Sequence, residues 1–186
     1  QTKLSTADQV IQIWFEVQRT WSHLESIFIG SEDIRRQLPE DSQRFDTIDT
    51  DFKAIVGEVE TTKNCVEATN KPKLYERLEV IQEALVLCEK ALAEYLETKR
   101  LAFPRFYFVS SADLLDILSN GNTPSIVMRH LTKLFDSMAS LKFTKQGSKD
   151  ATNMVAKDGE IVELSKVTNL DGQVEVWLNK LLKEMR

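Results

Sequence analysis

Nothing in this sequence is built to cradle a phosphate. Its six glycines form no G-x-x-x-x-G-K-[ST] or G-x-G-x-x-G arrangement. The nearest approach, QGSKDAT at residues 146–152, lacks the second glycine and a preceding strand. Long apolar runs are missing as well. No stretch approaches the roughly 20 residues a bilayer requires, and the first residues lack the basic-then-apolar layout of a signal peptide, so the chain reads as a segment cut from something longer. Cysteine is limited to Cys65 and Cys88, each within a helical apolar pattern, which predicts two reduced, buried thiols of a cytosolic protein and no disulfide. The only histidines, His23 and His130, stand isolated, with no second His, Cys or acidic residue at a metal-ligand spacing. No basic cluster interleaved with aromatics occurs, so neither nucleic acid nor an anionic membrane surface is an expected partner.

What is present describes an ordinary globular chain of 186 residues, 42% hydrophobic and 28% charged. That length allows one or two small domains with a real core. The formal charge of -5 is unevenly spread: residues 1–99 carry 19 acidic and 12 basic side chains, residues 100–186 carry 10 and 12.

The helix signals come in order. Ser5 with Asp8, or Thr6 with Gln9, marks a helix start, and Val10, Trp14, Val17, Trp21, Leu24 and Phe28 then recur at alternating four- and three-residue steps. Gly30 and Ser31 end that helix, and Glu32 to Leu38 form a short helical turn before Pro39. Phe45, Ile48, Phe52, Ile55 and Val59 predict a second long helix, continuing weakly through Thr62 and Val66. Asn70-Lys71-Pro72 stops it, and Leu74, Leu78, Ile81, Leu85, Cys88, Leu92 and Tyr95 form the cleanest heptad in the chain. Residues 1–99 are therefore expected to pack as an antiparallel three-helix bundle, since each stripe can be buried only against the other two.

Residues 100–186 read as a second, smaller helical unit carrying a β-hairpin, so the fold class is mainly α. Leu114, Leu115, Ile117 and Leu118 mark a short buried helix. Thr123-Pro124 starts another, with Ile126, Val127, Leu131, Leu134, Phe135, Met138 and Leu141 on its inner face, followed by a polar loop over 143–150. Asp158-Gly159 predicts the turn of a hairpin between 154–156 and 161–164, and a last helix follows Gly172.

No catalytic or metal-binding residues emerge. The carboxylate pairs Glu32-Asp33, Glu40-Asp41 and Asp49/Asp51 fall at helix starts or on exposed faces, where acids favour the helix dipole. The candidate hinge or partner contact is the run Phe103, Pro104, Arg105, Phe106, Tyr107 and Phe108, together with the turn at Asp158 and Gly159. Pro104 ends the preceding helix, and the aromatics with Val109 form a β-prone plug before a helix capped by Ser110, with Asp113 placed to close a capping box. Arg105 must stack on an aromatic, pair with a carboxylate, cap nearby carbonyls or reach solvent.

Two stretches carry a family resemblance: YLETKRLAFPRFYFVSSADLLDILSNG, and upstream WFEVQRTWSHLESIFIGSEDIRRQLPEDSQRFDTID. Both resemble the linker region of dynein heavy chains, most of all the axonemal, outer-arm type, and the resemblance runs from Val10 to Met185. It implies a non-catalytic mechanical segment that bends and straightens over the AAA+ ring of the same heavy chain to drive a microtubule motor. It further implies that ATP and Mg²⁺ act in downstream modules, that other dynein subunits and microtubules are partners through the parent chain, and that the setting is the cytoplasmic axoneme of cilia and flagella. The alternative from the heptads alone is a static, spectrin-like scaffold or interaction module. Against it stands the lack of a second copy of the tryptophan-bearing first helix in residues 100–186.

Overall fold

A computed structural model of the chain describes residues 2–185, which are mainly helical with one three-stranded antiparallel sheet. They pack as two compact units, Gln1–Ala93 and Glu94–Arg186.

In the first unit, α1 spans Thr2–Phe28, a turn more than its start signals predict. The Thr6 hydroxyl caps nothing; it donates to the Thr2 carbonyl within the helix. Helix α1 buries Ala7, Val10, Ile13, Val17, Leu24, Ile27 and Phe28, while both tryptophans are half-buried and work through their edges. A Cβ at Gly30 would lie 2.3 Å from the Ser26 carbonyl oxygen, so only glycine closes the helix this tightly. Helix α2 (Glu32–Gln37) is capped by Ser31, and α3 (Pro39–Glu60) starts on proline, whose missing N–H costs nothing in a first turn.

Ring pairs Trp14–Phe52, Trp21–Phe52 and Phe28–Phe45 join α1 to α3, with centroids 5.8, 5.1 and 5.5 Å apart. Rising numbers on one helix meet falling numbers on the other, so the two are antiparallel. Trp21 Nε1 adds a hydrogen bond to Asp49 of 3.1 Å. Arg35 on α2 grips Asp46 with both guanidinium nitrogens, at 2.9 and 2.7 Å, and the Phe28 carbonyl at 3.2 Å. Those hydrogen bonds hold the Asp46 carboxyl below the usual range.

Helix α3 runs through Gly57 without fraying but does not continue to Val66. The chain turns at Thr61, and Asn64 caps a separate helix α4 (Cys65–Thr69) by accepting from the Val66 and Glu67 amides. This corrects the reading of Cys65: as the first residue of a five-residue helix it is exposed, whereas Cys88 is buried as expected. Burial pushes the Cys88 thiol up, and its Sγ lies 3.8 Å from the Asp41 carbonyl. Helix α5 (Leu74–Ala102) buries Leu74, Leu78, Ile81, Leu85, Cys88 and Leu92 of the predicted heptad, but at its end Leu96 is buried and Tyr95 is only half-buried.

The second unit corrects the sequence reading in three places. The aromatic run is not extended: Pro104–Phe108 is a 3-10 turn, η1, since proline at its first position fixes a helical φ. After α6 (Ser111–Ser119), the helix predicted from Pro124 breaks into α7 (Pro124–Val127), a 3-10 turn, η2 (Met128–His130), and α8 (Leu131–Leu134). Phe135 is already extended, and Met138 with Leu141 belongs to strand β1 (Met138–Phe143). A three-residue spacing suits a helix, but a bulge between Met138 and Ser140 lets the same spacing put both side chains on one face of a strand. Third, the polar loop is shorter than 143–150, because Phe143 and Asp150 pair into strands and the turn between them is closed by hydrogen bonds such as Thr144 N–H to the Asp150 carbonyl at 3.0 Å.

The predicted hairpin is present as β2 (Asp150–Ala156) and β3 (Ile161–Asn169), in a sheet of order β1-β2-β3. Its turn is a type I turn with a glycine bulge. Gly159 N–H reaches the Ala156 carbonyl at 3.1 Å with φ +90°, and Ala156 N–H reaches Glu160 at 2.8 Å. Helix α9 (Val174–Glu184) covers the core, its Trp177 Nε1 donating to the Gly121 carbonyl at 3.2 Å.

Candidate functional site

The end of α5 is held by η1, α6 and α9 of the second unit. Phe103 and Phe106 are fully buried and meet edge to face, with centroids 5.0 Å apart, and Phe135 stands 6.3 Å from Phe103. Val109 completes this small core. Tyr107 and Phe108 do not join it, being 52% and 74% exposed, and Pro104 also faces solvent. A 3-10 turn explains the split: with three residues per turn, Phe103, Phe106 and Val109 share one face. The plug is thus half the size that the run of aromatics suggests.

Arg105 takes two of the roles open to it. Its Nη1 donates to the Leu134 carbonyl at 2.9 Å, and its guanidinium carbon lies 4.9 Å from the Phe135 ring centre. Tyr107 donates to Glu97, which raises the phenol pKa, and Arg100 stands 6.0 Å over the Tyr107 ring. Ser110 caps α6 by accepting from Asp113 N–H at 3.1 Å. The capping box closes differently from the glutamate version: the shorter Asp113 carboxylate accepts from the Ser110 hydroxyl at 2.9 Å.

Two features were not foreseen. Lys99 Nζ lies 2.5 Å from Glu175, with side chains only 11% and 9% exposed, tying α5 to α9 beside the Asn179 hydrogen bond to the Ala102 carbonyl of 3.1 Å. No local pattern signals a pair 76 residues apart. The second corrects the isolation of His130. It is buried, with Nε2 2.6 Å from Asp116 and Nδ1 3.6 Å from Asp113, while Arg129 also binds Asp116 and Lys133 binds Asp113 at 2.8 Å. An acidic pair three apart on α6, facing three basic side chains within five residues downstream, was the available signal.

For Asp116, burial raises the carboxyl pKa, but hydrogen bonds from His130 and Arg129 outweigh it and leave the group below its ordinary value. Lys133, then Ser110, lower Asp113. A carboxylate lowered in the folded state stabilises fully above its unfolded pKa and loses that contribution as pH falls through the folded value. Asp116→Asn should therefore lower Tm by about 2–4 °C near pH 7, and the gap from the parent chain should close below about pH 4 in thermal melts. A gap unchanged at pH 3 would mean that packing, not charge, sets the effect.

Among the described residues no group of His, Cys, Asp and Glu is placed to hold a metal ion. What the site offers is a clamp: a helix end fixed by aromatic packing, a buried ion pair and carbonyl caps. The chain belongs to the dynein heavy chain family: the family described as dynein heavy chain, N-terminal region 2, matches residues 1–186. Similar curated proteins include the ciliary dynein beta chain of Tripneustes gratilla, 69% identical, dynein axonemal heavy chain 17 of Mus musculus, 67%, and the flagellar outer arm dynein beta chain of Chlamydomonas reinhardtii, 50%, each over 100% of this chain. The chain spans about 4% of the length of these relatives.

Proposed function

We propose that this chain is part of the linker of an axonemal, outer-arm type dynein heavy chain. In this reading it bends and straightens over the AAA+ ring of the same heavy chain and so converts ATP hydrolysis in downstream, Mg²⁺-dependent modules into movement along microtubules in cilia and flagella. Other dynein subunits meet it through the parent chain. The observation that carries the proposal is the match along the whole chain to the N-terminal region of dynein heavy chains. The geometry supports it in kind. In this reading α1, α3 and α5 act as an antiparallel three-helix rod; the ring pairs joining α1 to an antiparallel α3, and the 29 residues of α5, about 43 Å of helix, support it. Phe103 to Phe108 supply the hinge or partner contact. The Asp158-Gly159 tip, exposed on both residues, supplies a contact for the ring.

A static spectrin-like scaffold finds less support, because a three-stranded sheet stands where a second bundle would repeat. Titration calorimetry tests the division of labour. With no phosphate-binding loop in its sequence, this chain should show no saturable ATP binding; binding near micromolar affinity would overturn the non-catalytic reading.

A further inference from the structure

The second unit contains a hollow of about 340 Å³ beside the clamp, which shares Arg105 and Phe135 with it. Met138, Met154 and Met185, with Val155, Ala156 and Val162, give it an apolar lining, and Arg105 and Asp136 supply its charges. Methionine is unbranched and polarisable, so such a surface adapts to apolar side chains of more than one shape. Its volume suits one or two large side chains.

Arg105 makes the hollow selective. Among the described residues no carboxylate comes within 4.0 Å of its guanidinium, unlike Arg35, Arg77 and Arg129, which all hold one. Among the described residues its one hydrogen bond uses Nη1, on the Leu134 carbonyl. The stack on Phe135 fixes the plane of the group and leaves further N–H donors unspent, in a fork that matches a carboxylate. Asp136 is exposed, so water screens it more than a half-buried Arg105.

We propose that this hollow is a docking pocket for an acidic peptide segment of a separate polypeptide, which seats a large apolar side chain on the three methionines and a neighbouring carboxylate on Arg105. The inference stands on this pocket alone and is independent of the linker reading.

The test uses the 186-residue chain and a labelled hexapeptide with blocked ends, glycine–serine–phenylalanine–glutamate–serine–glycine, followed by fluorescence anisotropy. Saturable binding on the order of 100 µM is expected, as suits so small a contact. Glutamine in place of the peptide's glutamate should weaken binding about fivefold to tenfold, and Arg105→Gln should erase that difference, as a double-mutant cycle requires. Val162→Asp, on a side chain already 44% exposed, should weaken the acidic peptide at least about fivefold with Tm unchanged. Equal affinity for the two peptides, a difference that survives Arg105→Gln, undiminished binding to Val162→Asp, or no saturation up to millimolar peptide would each overturn the proposal. Displacement by decanoate at lower concentration than by unlabelled peptide would overturn it in favour of a small carboxylate.

Discussion

Lys99→Met should destabilise the second unit by about 3 to 5 kcal/mol, because it strips the partner from a carboxylate that has almost no access to water. Lys99 and Glu175 are each about one-tenth exposed and 2.5 Å apart, and the Lys99 ammonium also lies 5.4 Å from the Tyr95 ring. Removing the lysine leaves the Glu175 carboxylate buried without its partner. Removing both charges is a different experiment. Lys99→Met with Glu175→Leu should recover most of the loss, since two apolar side chains of similar volume carry no desolvation penalty. Hydrogen exchange along α9 measures both variants. A single variant that loses less than about 1 kcal/mol would show the pair to be screened like a surface salt bridge.

Phe106→Ala should cost about 3 to 5 kcal/mol, through lost burial and the cavity left behind. The ring is fully buried against Phe103, in a turn that also holds Arg105 over Phe135. All of these residues lie in the unit beginning at Glu94, and the heptad core of α5 lies before it. Exchange should therefore quicken from Leu101 to Leu118 while protection across Leu78 to Leu92 is largely kept. Uniform loss along the chain would mean one cooperative core, and would favour a static scaffold.

The helices of the first unit were legible because long amphipathic stripes leave few alternatives: Val10, Val17, Leu24 and Phe28 on α1, and Leu74 to Leu92 on α5, are buried where the period puts them. Short elements were legible only where a turn residue announced them, as Gly159 did for the hairpin and Ser110 for α6. Strand β1 was missed because a bulge gives it a helix-like spacing, and Cys65 was misplaced because an apolar pattern was carried through the break at Thr61. The clamp at the end of α5 was half legible. Its aromatics stand together in sequence, but which of them are buried depends on the three-residue period of a turn begun by Pro104. Pairs such as Lys99–Glu175 and His130–Asp116 depend on tertiary placement that no local pattern encodes.

The central claim is mechanical, and the most direct measurement compares two rates in the full-length parent motor carrying Phe106→Ala. The proposed linker role predicts that ATP turnover per motor stays near the unmodified value while microtubules glide more slowly, because in that role the chemistry proceeds in other modules and only the transmitting element is softened. Unchanged gliding, or turnover and gliding falling in step, would contradict it.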